Sequence, residues 1–180
     1  MGRSGSIYLV AALLVASALG IDVVVPTFDL LKVGANAGDL GDDIHSASDI
    51  ALPVMGNTYI NTRPQGWTVD KANDRVIIKE GGIYDVSASV DFVDEPDSVQ
   101  NNCALEIWIE KNSTQISPYY YTNYFTRVNV VNKTSISIPA TAFVFVLGDT
   151  IQLMVRAVSG DADCNVGIET SNSYMQFKKY

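Results

Sequence analysis

The feature that most constrains this chain is the period-two alternation of Gly82 to Phe92, GIYDVSASVDF, in which Tyr84, Val86, Ala88, Val90 and Phe92 alternate with Asp85, Ser87, Ser89 and Asp91. Successive side chains of a strand point to opposite faces, so the pattern predicts a strand with one dry and one wet face. Leu105, Ile107 and Ile109 repeat it against Glu106, Trp108 and Glu110, and stop at the polar turn Lys111-Asn112-Ser113. Short extended runs follow at Val128 and Val130, then at Thr134, Ile136 and Ile138. Ala142 to Leu147 is continuously apolar and ends at Gly148-Asp149. Alternation resumes at Ile151, Leu153, Val155 and Ala157, which predicts strand, tight turn, strand. A last strand over Ser173–Lys179 sets Met175 and Phe177 on one face and Tyr174 and Gln176 on the other. Opening strands at Ile50–Asn61 and Arg75–Lys79 flank the turn Pro64-Gln65-Gly66. No apolar stripe of useful length at helical spacing occurs after residue 34. Eight or nine short strands with turn signals between them therefore predict an all-β sandwich or barrel over residues 43–180.

The stretch from Val76 through Gly82-Ile83-Tyr84 to Phe92 resembles the "strand, Gly-Xaa-Tyr, alternating strand" signature of tumour-necrosis-factor-like and complement globular-head domains. Phe145-Val146-Leu147-Gly148-Asp149 with the strand after it resembles the same superfamily's "leucine, Gly-Asp, alternating strand" element, and the chain closes on an aromatic-rich strand as those domains do. The resemblance implies a jelly roll packed as a homotrimer about a threefold axis, a fold also used in virus and phage fibres, knobs and capsid decorations. Two departures stand out: there is no collagen-like Gly-Xaa-Yaa stalk upstream and no long basic leader.

Residues Ile7 to Val25 form an apolar run broken only by Ser17, Gly20 and Asp22. Three readings stay open for this segment, residues 1–25. Arg3, the apolar run and Ala16-Ser17-Ala18 have the layout of a cleaved secretory signal. About 20 apolar residues also suffice to span a bilayer, with Asp22 at the interface. The third reading is an arm buried in a neighbouring subunit. Met1-Gly2 followed by Ser6 is a weak match to a myristoylation pattern. Residues 26–42, with Gly34, Ala35, Ala37 and Gly38 close together, read as a linker or extended arm.

Composition narrows the function. A net charge of −8 argues against nucleic-acid binding, which needs clustered Lys and Arg. Cys103 and Cys164 are too few for a thiolate metal site and allow one disulfide in an oxidising compartment, with two reduced thiols as the alternative. Sequons at Asn112 and Asn132 permit glycosylation in such a compartment. The lone histidine, His45, has no visible partner for metal binding or base catalysis. Neither a nucleophile elbow nor a phosphate-cradling loop occurs. Acidic residues gather at Asp39, Asp42 and Asp43, at Asp94, Glu95 and Asp97, and at Asp161 and Asp163. Solvated loops are the ordinary outcome, and Asp161-Ala162-Asp163 beside Asn165 is the best calcium candidate. No catalytic, metal or cofactor site is assigned, and the chain reads as a binding protein, not an enzyme.

Tyr119, Tyr120 and Tyr121 with Tyr124 and Phe125 are the most unusual surface feature. Consecutive tyrosines on a strand cannot all face one core, so they are candidates for a subunit interface; a strand split between core and ordinary exposure is the alternative. The preferred function is a structural or attachment protein of a virus particle, a capsid-associated decoration, minor capsid or spike-like subunit. It would contact itself and other virion proteins, and a membrane through residues 7–25. The alternative is a secreted or membrane-anchored recognition module that binds a receptor or carbohydrate.

Overall fold

The computed structural model describes residues 28–35, 38–39, 49–94, 104–121, 133–158 and 166–180, with the side chains of residues 38, 39, 94, 121 and 170 outside that description. Its strands are β1 (Asp29–Gly34), β2 (Gly38–Asp39), β3 (Ile50–Ala51), β4 (Asn57–Asn61), β5 (Trp67–Asp70), β6 (Arg75–Ile78), β7 (Gly82–Asp94), β8 (Leu105–Lys111), β9 (Thr114–Gln115), β10 (Tyr120–Tyr121), β11 (Lys133–Phe145), β12 (Thr150–Ala157) and β13 (Val166–Lys179). They form two antiparallel sheets. The first runs β11-β7-β13-β1-β4 with β2 on β13, and the second runs β10-β8-β12-β6-β5 with β3 on β12 and β9 on β8. Neighbours far apart in sequence, such as β13 between β7 and β1, give the crossed connections of a jelly roll.

The predicted alternation of β7 is what fills the core. Tyr84, Val86, Ala88, Val90 and Phe92 are buried and face Leu105, Ile107 and Ile109 of β8 and Ile151, Leu153, Val155 and Ala157 of β12. Full burial of each large aliphatic or aromatic side chain contributes about 1.5–3 kcal/mol. In β13, Met175 and Phe177 point inward as expected, and the strand begins earlier than the sequence pattern, at Val166.

Four expectations need correction. Part of the stretch read as a linker is β1, an inner strand that pairs with β13 on one side and β4 on the other. Its small residues reflect crowding and not freedom: Ala35 is fully buried, and a β-carbon on Gly34 would lie 2.6 Å from the Tyr59 ring carbon Cζ. The body therefore starts by Asp29 and not at residue 43. Ile50–Asn61 is not one strand, because Pro53 cannot donate to a ladder and the chain turns there, sending β3 to the second sheet and β4 to the first. Leu52, Val54 and Met55 in that turn plug the core. Between the expected opening strands lies an unpredicted one, β5, which makes a hairpin with β6. Finally, the wet face expected on β8 is covered: Glu106 and Trp108 are each 1% exposed.

The continuously apolar run Ala142 to Leu147 alternates in the structure. Phe143 and Phe145 face inward, Phe145 against Tyr84 with ring centroids 5.4 Å apart, while Val144 faces out. A bulge between Ile138 and Thr141, around Pro139, shifts the register by one residue and sets this parity.

Candidate interaction surfaces

The outer face of the second sheet closes on itself. The β8–β12 register sets Glu106 opposite Arg156, whose Nε donates to the Glu106 carboxylate, and Asp49 lies 3.6 Å from the same guanidinium. Arg156 also sits over two rings, 5.3 Å from the Trp108 centroid and 4.8 Å from that of Tyr119. Those rings meet edge to face at 5.3 Å. Burial opposes the charge on Arg156, but Glu106 and Asp49 hold its pKa above the ordinary value. Tyr119 is thus committed to Trp108 and Arg156, and Tyr120 packs against the core from β10. Tyr119, which precedes β10, and Tyr120, which opens it, therefore lie on opposite sides of the second sheet. The Tyr121 side chain, Tyr124 and Phe125 lie outside the described residues, as do Cys103, Cys164, Asn132, His45, Glu95, Asp97 and the calcium candidate at Asp161, Asp163 and Asn165.

Asn112 lies in the β8–β9 turn with φ of 51°, followed by Ser113 at 61°. Its amide Nδ2 donates to Asp149 at 2.7 Å, and its Oδ1 accepts from the Thr150 backbone N–H at 2.8 Å. The sequon asparagine therefore ties the β8–β9 turn to the β11–β12 turn. Asp149 completes that clasp by accepting the Val146 N–H at 2.9 Å. Burial alone would push the Asp149 carboxyl up, but Val146, Asn112 and Lys111 outweigh it and hold the pKa below the ordinary range.

One end of the sandwich carries a charged cap. Arg63 pairs with Asp29 and Glu80, both at 2.8 Å, and Lys179 Nζ reaches Glu80 at 3.2 Å. The Tyr84 hydroxyl donates to the Glu80 carbonyl, and burial pushes its pKa up to about 12. Gly82 belongs to the same end: a β-carbon there would come 2.8 Å from Lys179 Cε, so the Gly-Ile-Tyr element makes room for the lysine that caps the core. Among the described residues, no group of three or more His, Cys, Asp and Glu is placed to hold a metal ion.

Among the described residues, the outer face of the first sheet is open. Val144 pairs with Ile83, the Tyr180 N–H donates to the Ile83 carbonyl at 3.1 Å, and Phe28 precedes Asp29, the partner of Lys179. These four strands thus present one cross-strand row, Val144, Ile83, Tyr180 and Phe28, exposed by 68%, 51%, 66% and 47%. Tyr59 and Ile60 on the edge strand β4 extend the apolar surface. The far end of the same face is polar: Asp91 accepts from Ser135 at 2.6 Å and from Asn172 at 3.0 Å, and Lys133 pairs with Glu169. Sequence reasoning missed this surface because an outward-facing apolar strand residue looks like a buried one until the parity of the strand is known.

No protein-family model matches the chain, and no curated protein does. Solved structures do. Murine APRIL at pH 5.0 is 16% identical with a TM-score of 0.53, over 86% of this chain and 100% of that one. Eiger TNF from S. frugiperda is 15% identical with a TM-score of 0.55, over 86% of this chain and 94% of that one. At such identities the likeness speaks for the fold, and with the two-sheet topology and the Gly82-Ile83-Tyr84 and Gly148-Asp149 elements it identifies the body as a tumour-necrosis-factor-like jelly roll.

Proposed function

We propose that the chain is a recognition module of the tumour-necrosis-factor-like kind, exported or held at a cell surface, that assembles as a homotrimer and engages a receptor by binding rather than catalysis. One observation carries this reading: the body has this fold while the outer face of its first sheet presents an uncovered apolar row on four adjacent strands. Large exposed apolar patches mark association sites, and a second and third copy would cover this one. The charged rows farther along the face would lie at the rim of that contact, where polar side chains fit best.

The virion role favoured by the sequence reading leaned on the use of this fold in virus and phage fibres, knobs and capsid decorations, and on a retained N-terminal arm fixing the body to a shell or membrane. Residues 1–25 lie outside the described residues, and neither similar structure carries the name of a virion protein. The secreted or membrane-anchored alternative is therefore the reading adopted. Native mass spectrometry of the purified chain tests it. A species of three chains supports the proposal, and a monomer persisting at tens of micromolar contradicts it.

A further inference from the structure

The β11–β12 turn is a rigid apolar tip. Leu147 is 70% exposed and Val146 60%. Their backbone is nevertheless fixed: the Gly148 N–H donates to the Ile78 carbonyl and the Ile78 N–H to the Asp149 carbonyl, both at 2.8 Å, and the Asp149 N–H donates to the Val146 carbonyl at 3.1 Å. Gly148 permits the turn with φ of 92°. Asp149 side-chain bonds to Val146 and Asn112 complete the frame. Such a tip presents two aliphatic side chains to solvent with little freedom left to lose on contact.

Around the tip, carboxylates are paired with cations of the same chain, Glu80 with Arg63 and Lys179 and Asp149 with Lys111. Continuing the β6–β12 register sets exposed Lys79 opposite Gly148, and Lys111 Nζ lies 3.8 Å from Asp149. Lys178 Nζ stands over the Phe28 and Tyr180 rings at the same end, 4.5 and 4.8 Å from their centroids. The aliphatic tip and the lysine ammonium groups beside it together suit a surface that meets lipid headgroups, while the Phe28 and Tyr180 rings belong to the row proposed above for self-association.

The chain enters the body at this end. Phe28 follows the apolar run Ile7–Val25 with only Pro26 and Thr27 between, so it lies within about 10 Å of the end of that run even when fully extended. We propose that this end of the sandwich rests on a lipid bilayer, with Val146 and Leu147 in the headgroup region and Lys79 and Lys111 at the phosphates. The inference rests on the membrane-anchored form of the function proposed above, in which Ile7–Val25 is retained in the bilayer.

Tryptophan fluorescence tests it, because Trp67 and Trp108 are 2% and 1% exposed and so give a background that lipid does not alter. The full-length Leu147→Trp chain is reconstituted in phosphatidylcholine and phosphatidylserine vesicles with and without brominated acyl chains, beside Ser171→Trp at the exposed irregularity midway along β13, well away from the tip. Brominated lipid is expected to remove about half of the emission added at 147, as suits a contact ~5–10 Å into the interface, and none of that added at 171. Unquenched emission at 147 in chains that float with the vesicles overturns the proposal, as does equal quenching at both sites. A blue shift at 147 that follows protein concentration without lipid also overturns it, since another copy then covers the tip. Failure to float with vesicles overturns the anchored form alone and leaves the trimer in native mass spectrometry as a separate result.

Discussion

The two outer faces of this sandwich are built from similar alternating strands and end differently. On the second sheet Trp108 and Glu106 are each 1% exposed, because Tyr119 and Arg156 cover them from the same chain. On the first sheet Val144 and Ile83 stay 68% and 51% exposed. A strand's outward residues are thus either covered within the chain or, among the described residues, left exposed. Polar groups able to bridge strands make the first outcome, and bare aliphatic rows make the second.

Breaking the closed face should have the largest effect on the single chain. Arg156→Met leaves Glu106 as a buried carboxylate without its main partner and should cost about 2–3 kcal/mol, less than the ~3–5 of a fully buried pair because Arg156 is one-third open to solvent. Urea unfolding followed by Trp108 fluorescence measures it. Gly34→Ala forces a β-carbon against Tyr59 and should cost about 1–3 kcal/mol, and the loss should shrink in a Tyr59→Ala background, as a double-mutant cycle would reveal.

Asp149 gives a pH-dependent version of the comparison, since it frames the tip beside the open face. Its folded pKa is depressed, so its contribution is complete above the unfolded value near 4 and is lost as pH falls through the folded one. Acid unfolding of Asp149→Asn should therefore show a weaker loss of stability below about pH 4 than the parent chain does. The smallest effect on the single chain belongs to the open face. Ile83→Lys with Val144→Glu, which sets opposite charges on this cross-strand pair, should change monomer stability by less than about 0.5 kcal/mol per site yet abolish assembly in sedimentation velocity.

Much of the fold was legible because alternation is a local property. Tyr84 to Phe92 and Met175 with Phe177 took the predicted faces from their spacing alone. The strand β1 was not legible: Gly34 and Ala35 look like a linker until Tyr59, distant in sequence, is seen packed over them. Glu106 with Arg156 was equally hidden, since their pairing depends on the β8–β12 register. The apolar row was concealed because hydropathy does not distinguish a residue facing the core from one facing a partner.

Carbene footprinting of the assembled protein decides whether the outer face of the first sheet is where copies of the chain meet. Ile83 and Val144 should be protected from labelling in the assembled state and become labelled when dilution dissociates it, with Tyr119 labelling unchanged. Equal labelling of Ile83 and Val144 in both states would contradict the assignment of the first sheet's outer face to self-association.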